Sequence, residues 1–236
     1  AEAIIEVHYA GVCGTDLALF HGEYPAFLPH VCGHEFTGIV KSVGEGVDKN
    51  WIGKNVTAEI NNTCITYGKN QLCSSCKKNL PSHCQTRTVT GIINHEGAFA
   101  DEVRVAAGTL HEIPSNIDPL IATLTEPLAA ALQTFELSPI EKNETVVVLG
   151  AGRLGVLIVF VAFLKGIQTV AVSRSDTKRK RAFDFGAQHV FTPDDAIDEI
   201  KNLTDGLGAN KVIDTTGNPD GIKQAFKLVR PRGTID

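Results

Sequence analysis

Two short segments near the start of the sequence carry side chains that suit zinc. Cys13 follows Gly11, and His34 and Glu35 follow Gly33 at a second glycine-marked bend. Catalytic zinc sites use about three protein ligands drawn from Cys, His and carboxylate, and they keep one position exchangeable. These residue types fit, but spacing alone leaves open a second interpretation, a buried free cysteine beside a hydrogen-bonded histidine.

A second group of cysteines lies in a polar, lysine-rich segment that has too few apolar residues to bury its own core. Its members are Cys64, Cys73, Cys76 and Cys84. The Cys73-x2-Cys76 spacing is typical of zinc sites, whereas the alternative, a disulfide, belongs to oxidising compartments. We therefore predict that four thiolates bind one metal and that residues 65–72 loop outward. Cys32, near the first group, is interpreted as a small core residue.

A glycine-rich segment from Val146 to Gly155 predicts a dinucleotide site, because a strand-like run precedes it and an apolar helical run follows it. The first glycine permits a tight turn, the second lets backbone approach a pyrophosphate, and the third lets helix and strand pack closely. Unpaired N–H groups at the helix start then stabilise the phosphates. The residues predicted to contact the cofactor here are Gly150, Gly152, Arg153, Leu154 and Gly155. The alternative is a glycine-rich turn that only packs.

The end of the next predicted strand indicates which cofactor is bound. Enzymes that use NAD place Asp or Glu there to bind the ribose hydroxyls. This sequence has Ser173 and Arg174, which leave room and positive charge for a 2′-phosphate, so NADP is predicted over NAD, with dual specificity as the alternative. Residues 179–181 are interpreted as a solvated basic face, with contact to a cofactor phosphate as the alternative. Thr215 and Thr216, at the end of a later strand, are predicted to contact the cofactor.

The composition excludes several classes of protein. A net charge of −5 gives no basic excess for a nucleic-acid partner, and the longest apolar run is far shorter than the about 20 residues of a membrane span. Clustered cysteines and the lack of a signal-peptide pattern predict a cytoplasmic protein. The sequence contains no methionine, even at position 1, and both ends interrupt strand-like patterns, so we expect both termini to be truncated.

The segments Cys13-Gly-Thr-Asp16 and Gly33-His-Glu35, with the glycine fingerprint, resemble the zinc-containing medium-chain alcohol and polyol dehydrogenase family over nearly the whole chain. The resemblance implies an α/β fold made of a β-rich GroES-like catalytic domain, residues 1–127, and a doubly wound Rossmann domain, residues 128–236, incomplete at its C-terminus. It places a structural-zinc lobe at about 60–90. It also implies a homo-oligomer, either a dimer or a tetramer.

The resemblance also implies roles for individual residues. In the family, the motif Cys and His bind catalytic zinc, the Thr relays the substrate proton, and the Asp orients the zinc-bound His. The matching residues are Cys13, His34, Thr15 and Asp16. Glu35 matches a carboxylate that joins or leaves the zinc shell, and Lys178 matches a residue at the adenosine ribose. Glu126 matches a carboxylate beside the zinc, which binds the metal either directly or through water; the alternative is an ordinary carboxylate at a helix N-terminus.

The implied function is a zinc-dependent oxidoreductase that transfers hydride between an alcohol and NAD(P), giving a ketone or aldehyde. One catalytic and one structural zinc are expected. The family's relay histidine is replaced by Ala18, and the Glu-Pro-Leu-Ala motif at Glu126 favours a polyol, sugar or amino-alcohol substrate. One alternative is a non-catalytic NADP-binding zinc protein of the same fold. Another, a zinc-ribbon nucleic-acid module, lacks the basic surplus that it needs.

Overall fold

The computed structural model describes residues 1–25 and 28–236. The chain divides into two compact units, Ala1–Glu126 and Pro127–Asp236. The first is mostly strand and the second alternates strands with helices. Within the described ranges, no helix is both long enough and apolar enough to cross a membrane.

The first unit is organised around an antiparallel sheet. Its strands are β1 (Glu2–Gly11), β2 (Glu35–Val43), β3 (Asn55–Ala58), β4 (Asn61–Asn62), β5 (Thr88–Val89), β6 (Glu102–Ala106) and β7 (Leu110–Glu112). Its helices are α1 (Gly14–Phe20), α2 (Ser74–Lys77) and α3 (Pro119–Ala122), with 3-10 turns at Lys49–Trp51, Pro81–His83 and Ala107–Thr109. Five strands pair in the order β6-β1-β2-β3-β7, and β4 pairs with β5 separately. Alternate apolar residues, among them Ile5, Phe36 and Val105, form one core beneath the larger sheet.

The second unit is a parallel sheet covered on both faces. Its strands are β8 (Thr145–Leu149), β9 (Gln168–Val172), β10 (His189–Phe191), β11 (Ala209–Asp214) and β12 (Val229–Ile235). Its helices are α4 (Thr125–Leu137), which begins at the unit boundary, α5 (Arg153–Leu164), α6 (Asp176–Asp184), α7 (Ala196–Leu203) and α8 (Pro219–Leu228). The strand order β10-β9-β8-β11-β12 is that of a doubly wound nucleotide-binding sheet, as predicted.

The central strand β8 explains why the sheet needs two layers of helix. All five of its residues are buried. Val146 and Val148 pack into one apolar cluster with α5, while Val147 and Leu149 pack into a second cluster with α7 and α8. A strand that is apolar on both faces is stable only when helices cover both sides.

One buried charge in this unit has no counterpart in the sequence analysis. Lys211 in β11 is only 3% exposed. Its Nζ donates hydrogen bonds to the backbone carbonyls of Thr134 (3.3 Å) and Ser138 (2.8 Å) and pairs with the carboxylate of Asp236. The lysine thereby satisfies carbonyls at the end of α4, where a positive charge is favourable.

Candidate functional site

A buried carboxylate joins the two bends that carry the first group of ligand candidates. Cys13 is the N-cap residue of α1, so it lies at a helix start rather than on a simple turn. Asp16, in the first turn of that helix, is 4% exposed. Its Oδ2 accepts a hydrogen bond from the Cys13 backbone N–H (2.8 Å), and its Oδ1 accepts one from the Gly33 backbone N–H (3.0 Å). Asp16 therefore holds together two segments that are well separated in sequence.

Three ligand types converge beside this carboxylate. Ligand atoms of Cys13, His34 and Glu35 all lie within 4.8 Å of one another. The buried His34 Nδ1 has no hydrogen-bond partner among the described residues, but it lies 3.4 Å from Asp16 Oδ1. A thiol, an imidazole and a carboxylate are a donor set that fits zinc with an exchangeable position, and a carboxylate behind the imidazole is the usual arrangement around a zinc-bound histidine.

The local charges favour the thiolate. A hydrogen bond with His34 lowers the pKa of the Cys13 thiol, and bonding to Thr15 adds to the shift, together outweighing the opposite effect of burial. Burial alone would lower the pKa of His34, but Cys13 and then Asp16 reverse this and raise it. The thiolate is the form of cysteine that binds metal, so the environment prepares Cys13 as a ligand. The Thr15 hydroxyl lies 3.8 Å from the Cys13 sulfur.

Glu126 does not belong to the group of three mutually close ligands, but its carboxyl interacts electrostatically with His34, Glu35 and Asp16. It is the second residue of α4. Burial raises the pKa of its carboxyl, and the charges of Glu35 and Asp16 raise it further, although His34 opposes them. The carboxylate is therefore placed beside the site without completing the group of mutually close ligand atoms.

Close backbone packing fixes the second bend. Gly33 has a φ of +96°, and a β-carbon there would lie 2.6 Å from the ring of Phe99. The backbone N–H of Phe99 donates to the Cys32 carbonyl (2.9 Å), and that of Gly97 donates to the Val31 carbonyl (2.7 Å). Cys32 itself is half-buried rather than the core residue that was predicted, because it lies in the irregular segment before β2 and not within the strand.

The second cysteine group is compact. The sulfur atoms of Cys64, Cys73 and Cys84 are separated by 3.7, 3.8 and 3.7 Å, and Cys76 completes a set within 4.8 Å. Tetrahedral zinc with bonds of about 2.3 Å requires sulfur separations of roughly 3.8 Å, whereas a disulfide requires about 2.05 Å. Burial raises the pKa of Cys84, but hydrogen bonds from the Cys64 backbone and Thr86 lower it to about 6. The four thiols fit one closed zinc site.

The inserted segment between the first two ligands only partly loops outward. Residues 68–71 are exposed, as predicted. The Thr66 carbonyl, however, accepts a hydrogen bond from the Gly108 backbone N–H (2.9 Å), and Leu72 packs against the cysteine cluster. The prediction was wrong for these two residues, because the segment must satisfy its backbone where it leaves and rejoins the cluster.

The glycine fingerprint forms the turn that was predicted. Gly150 has a φ of +90°, a backbone conformation that favours glycine. A β-carbon at Gly155 would collide with the Gly150 carbonyl oxygen, whereas one at Gly152, the N-cap of α5, would meet open space. Gly155 therefore permits close packing, and Gly152 leaves the helix start accessible to an anion.

Beside this turn lies a cavity of about 290 Å³. It is lined by Leu149, Gly150, Ala151, Gly152, Val172, Ser173, Arg174, Ser175, Lys178, Pro193, Thr215, Thr216 and Gln224. Arg153 and Leu154 are absent from this lining, since they lie on the exposed first turn of α5. The Thr215 hydroxyl donates to the Gly150 carbonyl (2.7 Å), and the Thr216 hydroxyl donates to Asp214 Oδ1 (2.7 Å). Thr215 thereby supports the glycine turn, whereas Thr216 stabilises the segment that follows β11.

Two features of the cavity were missed in the sequence. Arg179 is not a solvated basic residue, because its Nη1 donates to the Ser173 carbonyl (2.6 Å) and its Nη2 pairs with Asp176. It thus fixes the segment that carries Ser173 and Arg174. Gln224 Nε2 donates to the Pro193 carbonyl (2.8 Å) across the cavity wall. The Asp176–Arg179 spacing of one helical turn was a detectable signal, but the Gln224 contact spans too much sequence to be read locally.

Comparison with known proteins matches both halves of the chain. Residues 1–115 match the family model described as the alcohol dehydrogenase GroES-like domain, and residues 154–235 match the one described as zinc-binding dehydrogenase. These matches confirm the predicted fold: a GroES-like β domain and a parallel-sheet Rossmann domain.

Several relatives are similar over almost all of the chain. A sorbitol dehydrogenase of Halalkalibacterium halodurans is 34% identical, covering 97% of this chain and 66% of the relative. An L-threonine 3-dehydrogenase of Pyrococcus furiosus is 34% identical, covering 99% and 67%. The structure of a zinc-binding dehydrogenase from Sinorhizobium meliloti bound to NADP is 32% identical with a TM-score of 0.88, covering 99% and 68%.

The chain spans about two thirds of the length of the curated relatives that it matches. Those relatives are named dehydrogenases, which supports the oxidoreductase class predicted from the sequence. The matched domains also support zinc and a nicotinamide cofactor as the groups that such a chain binds. The chain belongs to the zinc-containing medium-chain alcohol and polyol dehydrogenase family.

Proposed function

We propose that this chain supplies the zinc-binding and cofactor-binding parts of a dehydrogenase that transfers hydride between an alcohol and a nicotinamide cofactor. The observation that carries the proposal is the convergence of Cys13, His34 and Glu35 within 4.8 Å, backed by the buried Asp16. Names of relatives, sorbitol and L-threonine dehydrogenase, favour a polyol, sugar or amino-alcohol substrate. A cytoplasmic location and a homo-oligomeric state remain predictions.

Each residue of the Cys13, His34 and Glu35 site has its own role in the proposed reaction. When bound, zinc lowers the pKa of the substrate hydroxyl, and the nicotinamide accepts hydride. Asp16 orients His34 through its Nδ1, and Glu35 is the ligand that exchanges with substrate or water. Thr15, whose hydroxyl lies beside the Cys13 sulfur, accepts the substrate proton and passes it outward. Glu126 adds a carboxylate beside the site.

We assign the second zinc to the four cysteines. A site of four thiolates offers no exchangeable position, so its contribution is to folding rather than to turnover. Cys64 joins Cys73, Cys76 and Cys84, despite the inserted segment, because the measured sulfur separations fit one tetrahedron. The expected content is two zinc ions per subunit.

The test is metal content and turnover in Cys13→Ala, with Cys32→Ala as the matched control. Cys32 is half-buried and lies outside both ligand sets. We expect Cys13→Ala to lose one zinc of two and at least about a thousandfold in kcat, since metal polarisation of the reacting oxygen contributes several kcal/mol. Cys32→Ala should keep both. An active protein with unchanged zinc after Cys13→Ala would contradict the proposal and favour a non-catalytic role.

For the cofactor, we propose a preference for NADP over NAD. The cavity wall at the end of β9 carries Ser173, Arg174 and Lys178 and, within its described lining, no carboxylate. An Arg–phosphate contact favours NADP by about tenfold or more. Arg174→Ala should weaken NADP binding by that factor and leave NAD binding nearly unchanged. Arg181→Ala, at an exposed position in α6 that lies outside the cavity lining, is the control.

Equal dissociation constants for the two cofactors, unchanged by Arg174→Ala at one salt concentration, would contradict the assignment and indicate dual specificity. Ser173→Asp gives an independent check. Its carboxylate would repel the 2′-phosphate and accept hydrogen bonds from the ribose hydroxyls, so the preference should turn towards NAD.

A further inference from the structure

Arg179 in α6 is mostly buried beside the segment that joins β9 to α6. Its side chain is 16% exposed, and it does not belong to the lining of the cavity beside the glycine turn. Ser173, Arg174 and Lys178, which precede it in the sequence, do line that cavity. Arg179 is thus placed to act on the cavity through its neighbours and not by touching what the cavity holds.

Two nitrogens of the Arg179 guanidinium have partners in the protein. Nη1 donates a hydrogen bond to the backbone carbonyl of Ser173 (2.6 Å), and Nη2 pairs with the carboxylate of Asp176. Because Asp176 is 93% exposed, this ion pair contributes little to the stability of the fold. A guanidinium anchored at two nitrogens is nevertheless held in one orientation, since its donors form a rigid planar fork. The ion pair therefore aims Nη1 at the Ser173 carbonyl.

The contact with the carbonyl fixes the peptide group between Ser173 and Arg174. In a planar trans peptide the C=O and N–H bonds point in opposite directions, so the N–H of Arg174 is turned away from Arg179. No described residue accepts a hydrogen bond from that N–H. Among the residues that the structure describes, none pairs with the Arg174 guanidinium or the Lys178 ammonium either. This side of the cavity thus carries donors that the described chain does not use.

The next basic residue of α6, Lys180, is placed differently. It pairs with Asp184 (3.2 Å) one helical turn further along, its side chain is 76% exposed, and it does not line the cavity. Exposed pairs of this kind are common on helix surfaces and contribute little. Lys180 therefore offers a matched control, a cation on the same helix with its own ion pair but without a contact to the cavity segment.

We propose that Arg179 is a positioning residue for cofactor discrimination, which holds the Ser173 carbonyl and so presents Arg174 to the 2′-phosphate of NADP. The inference rests on the proposed preference for NADP and adds a residue that does not touch the cofactor. Fixing the segment in advance reduces the conformational entropy that is lost when the phosphate binds. NAD has a hydroxyl in place of this phosphate, so its binding gains little from a fixed Arg174. Arg179 thus contributes to selectivity between the two cofactors.

The experiment measures the dissociation constants of NADP and NAD for the purified protein and its variants, by calorimetry at one salt concentration. Arg179→Met should weaken NADP binding by about fivefold, because an indirect effect stays below the about tenfold contribution of the Arg174 contact. NAD binding should change by less than about twofold. Arg179→Lys keeps a positive charge and N–H donors and should restore part of the NADP affinity. Lys180→Met should change neither constant.

A double-mutant cycle tests whether Arg179 acts through Arg174. In the Arg174→Ala background, Arg179→Met should change NADP binding by less than about twofold, because the residue that it positions has been removed. The same fivefold loss in both backgrounds would mean that Arg179 contacts the phosphate itself and would overturn the positioning role. Equal weakening of NADP and NAD by Arg179→Met would assign the residue to folding alone and would overturn it as well.

Failure of this inference and failure of the proposed NADP preference give different results. Equal dissociation constants of the two cofactors for the unaltered protein would contradict the preference and, with it, the inference. A preference for NADP that persists unchanged in Arg179→Met would overturn the inference alone. Asp176→Asn, at an exposed position, provides a second variant in case Arg179→Met does not fold. It releases one nitrogen of the guanidinium and should lower the preference by about twofold, and an unchanged preference would contradict the inference.

Discussion

The two cysteine-containing clusters of the first unit differ in how many sulfur atoms they bring together. Around Cys64, Cys73, Cys76 and Cys84 the candidate ligand atoms are all sulfur and three of the four residues are buried, so the protein itself offers all four ligands of a tetrahedral metal ion. Around Cys13 a single half-buried thiol meets one imidazole and one carboxylate. Ligand composition, rather than the metal, therefore distinguishes a group that can hold the chain together from a group that can exchange one ligand.

The largest effect is expected from removing one thiolate of the four-cysteine group. Cys76→Ala should remove one zinc and destabilise the protein by about 3 to 5 kcal/mol, or roughly 10 °C in Tm, because metal binding by the four thiolates is coupled to folding of the lobe. Thermal unfolding with and without a chelator measures this. Cys13→Ala should leave Tm nearly unchanged, and an equal loss of Tm in both variants would erase the distinction between the clusters.

A smaller effect is expected from changing Asp16, the buried carboxylate beside His34. Asp16→Asn removes the charge that faces His34 Nδ1 and weakens the tie between Cys13 and Gly33. Loss of such a partner lowers activity or zinc affinity by up to about 100-fold. Steady-state kinetics at several zinc concentrations should show the loss partly rescued by excess metal. Asp101→Asn, at an exposed position, is the control, and full activity in Asp16→Asn would contradict the positioning role.

The smallest effect is expected from Glu126, and it decides whether this carboxylate belongs to the ligand group of Cys13, His34 and Glu35. Because this carboxylate lies outside the mutually close set, Glu126→Gln should keep its zinc and lose only about tenfold in kcat, the lower end of the range for residues that support ligands. Zinc analysis and kinetics of the same preparation separate the two effects. Glu136→Gln, an exposed position on the same helix, controls for helix stability. Zinc loss equal to that in Cys13→Ala would make Glu126 a ligand.

Local patterns predicted the parts of the site that depend on local geometry. The turn at Gly150 follows from glycine spacing after a strand, and the cysteine cluster follows from the Cys73-x2-Cys76 spacing. Arg153 and Leu154 lie on the exposed first turn of α5, outside the lining of the cavity, and their contact with the cofactor stays a prediction.

Features built by distant segments could not be read from the sequence. The hydrogen bonds of Lys211 reach residues more than 70 positions away, and its burial depends on the end of α4. His30 and His95 line the same cavity although they are far apart in the sequence. Such contacts depend on packing between elements, which no periodicity or motif spacing records.

The exposed residues 68–71 lie between two sulfur ligands of one cluster, Cys64 and Cys73. If a protease cuts the backbone there, a zinc ion held by the four thiols would tie the two new ends together, in addition to the pairing of β1 with β6 and of β3 with β7 that already joins the two fragments. The inserted segment is thus a place where we expect the chain to tolerate a cut, a label or a foreign sequence, with the metal as a removable local cross-link.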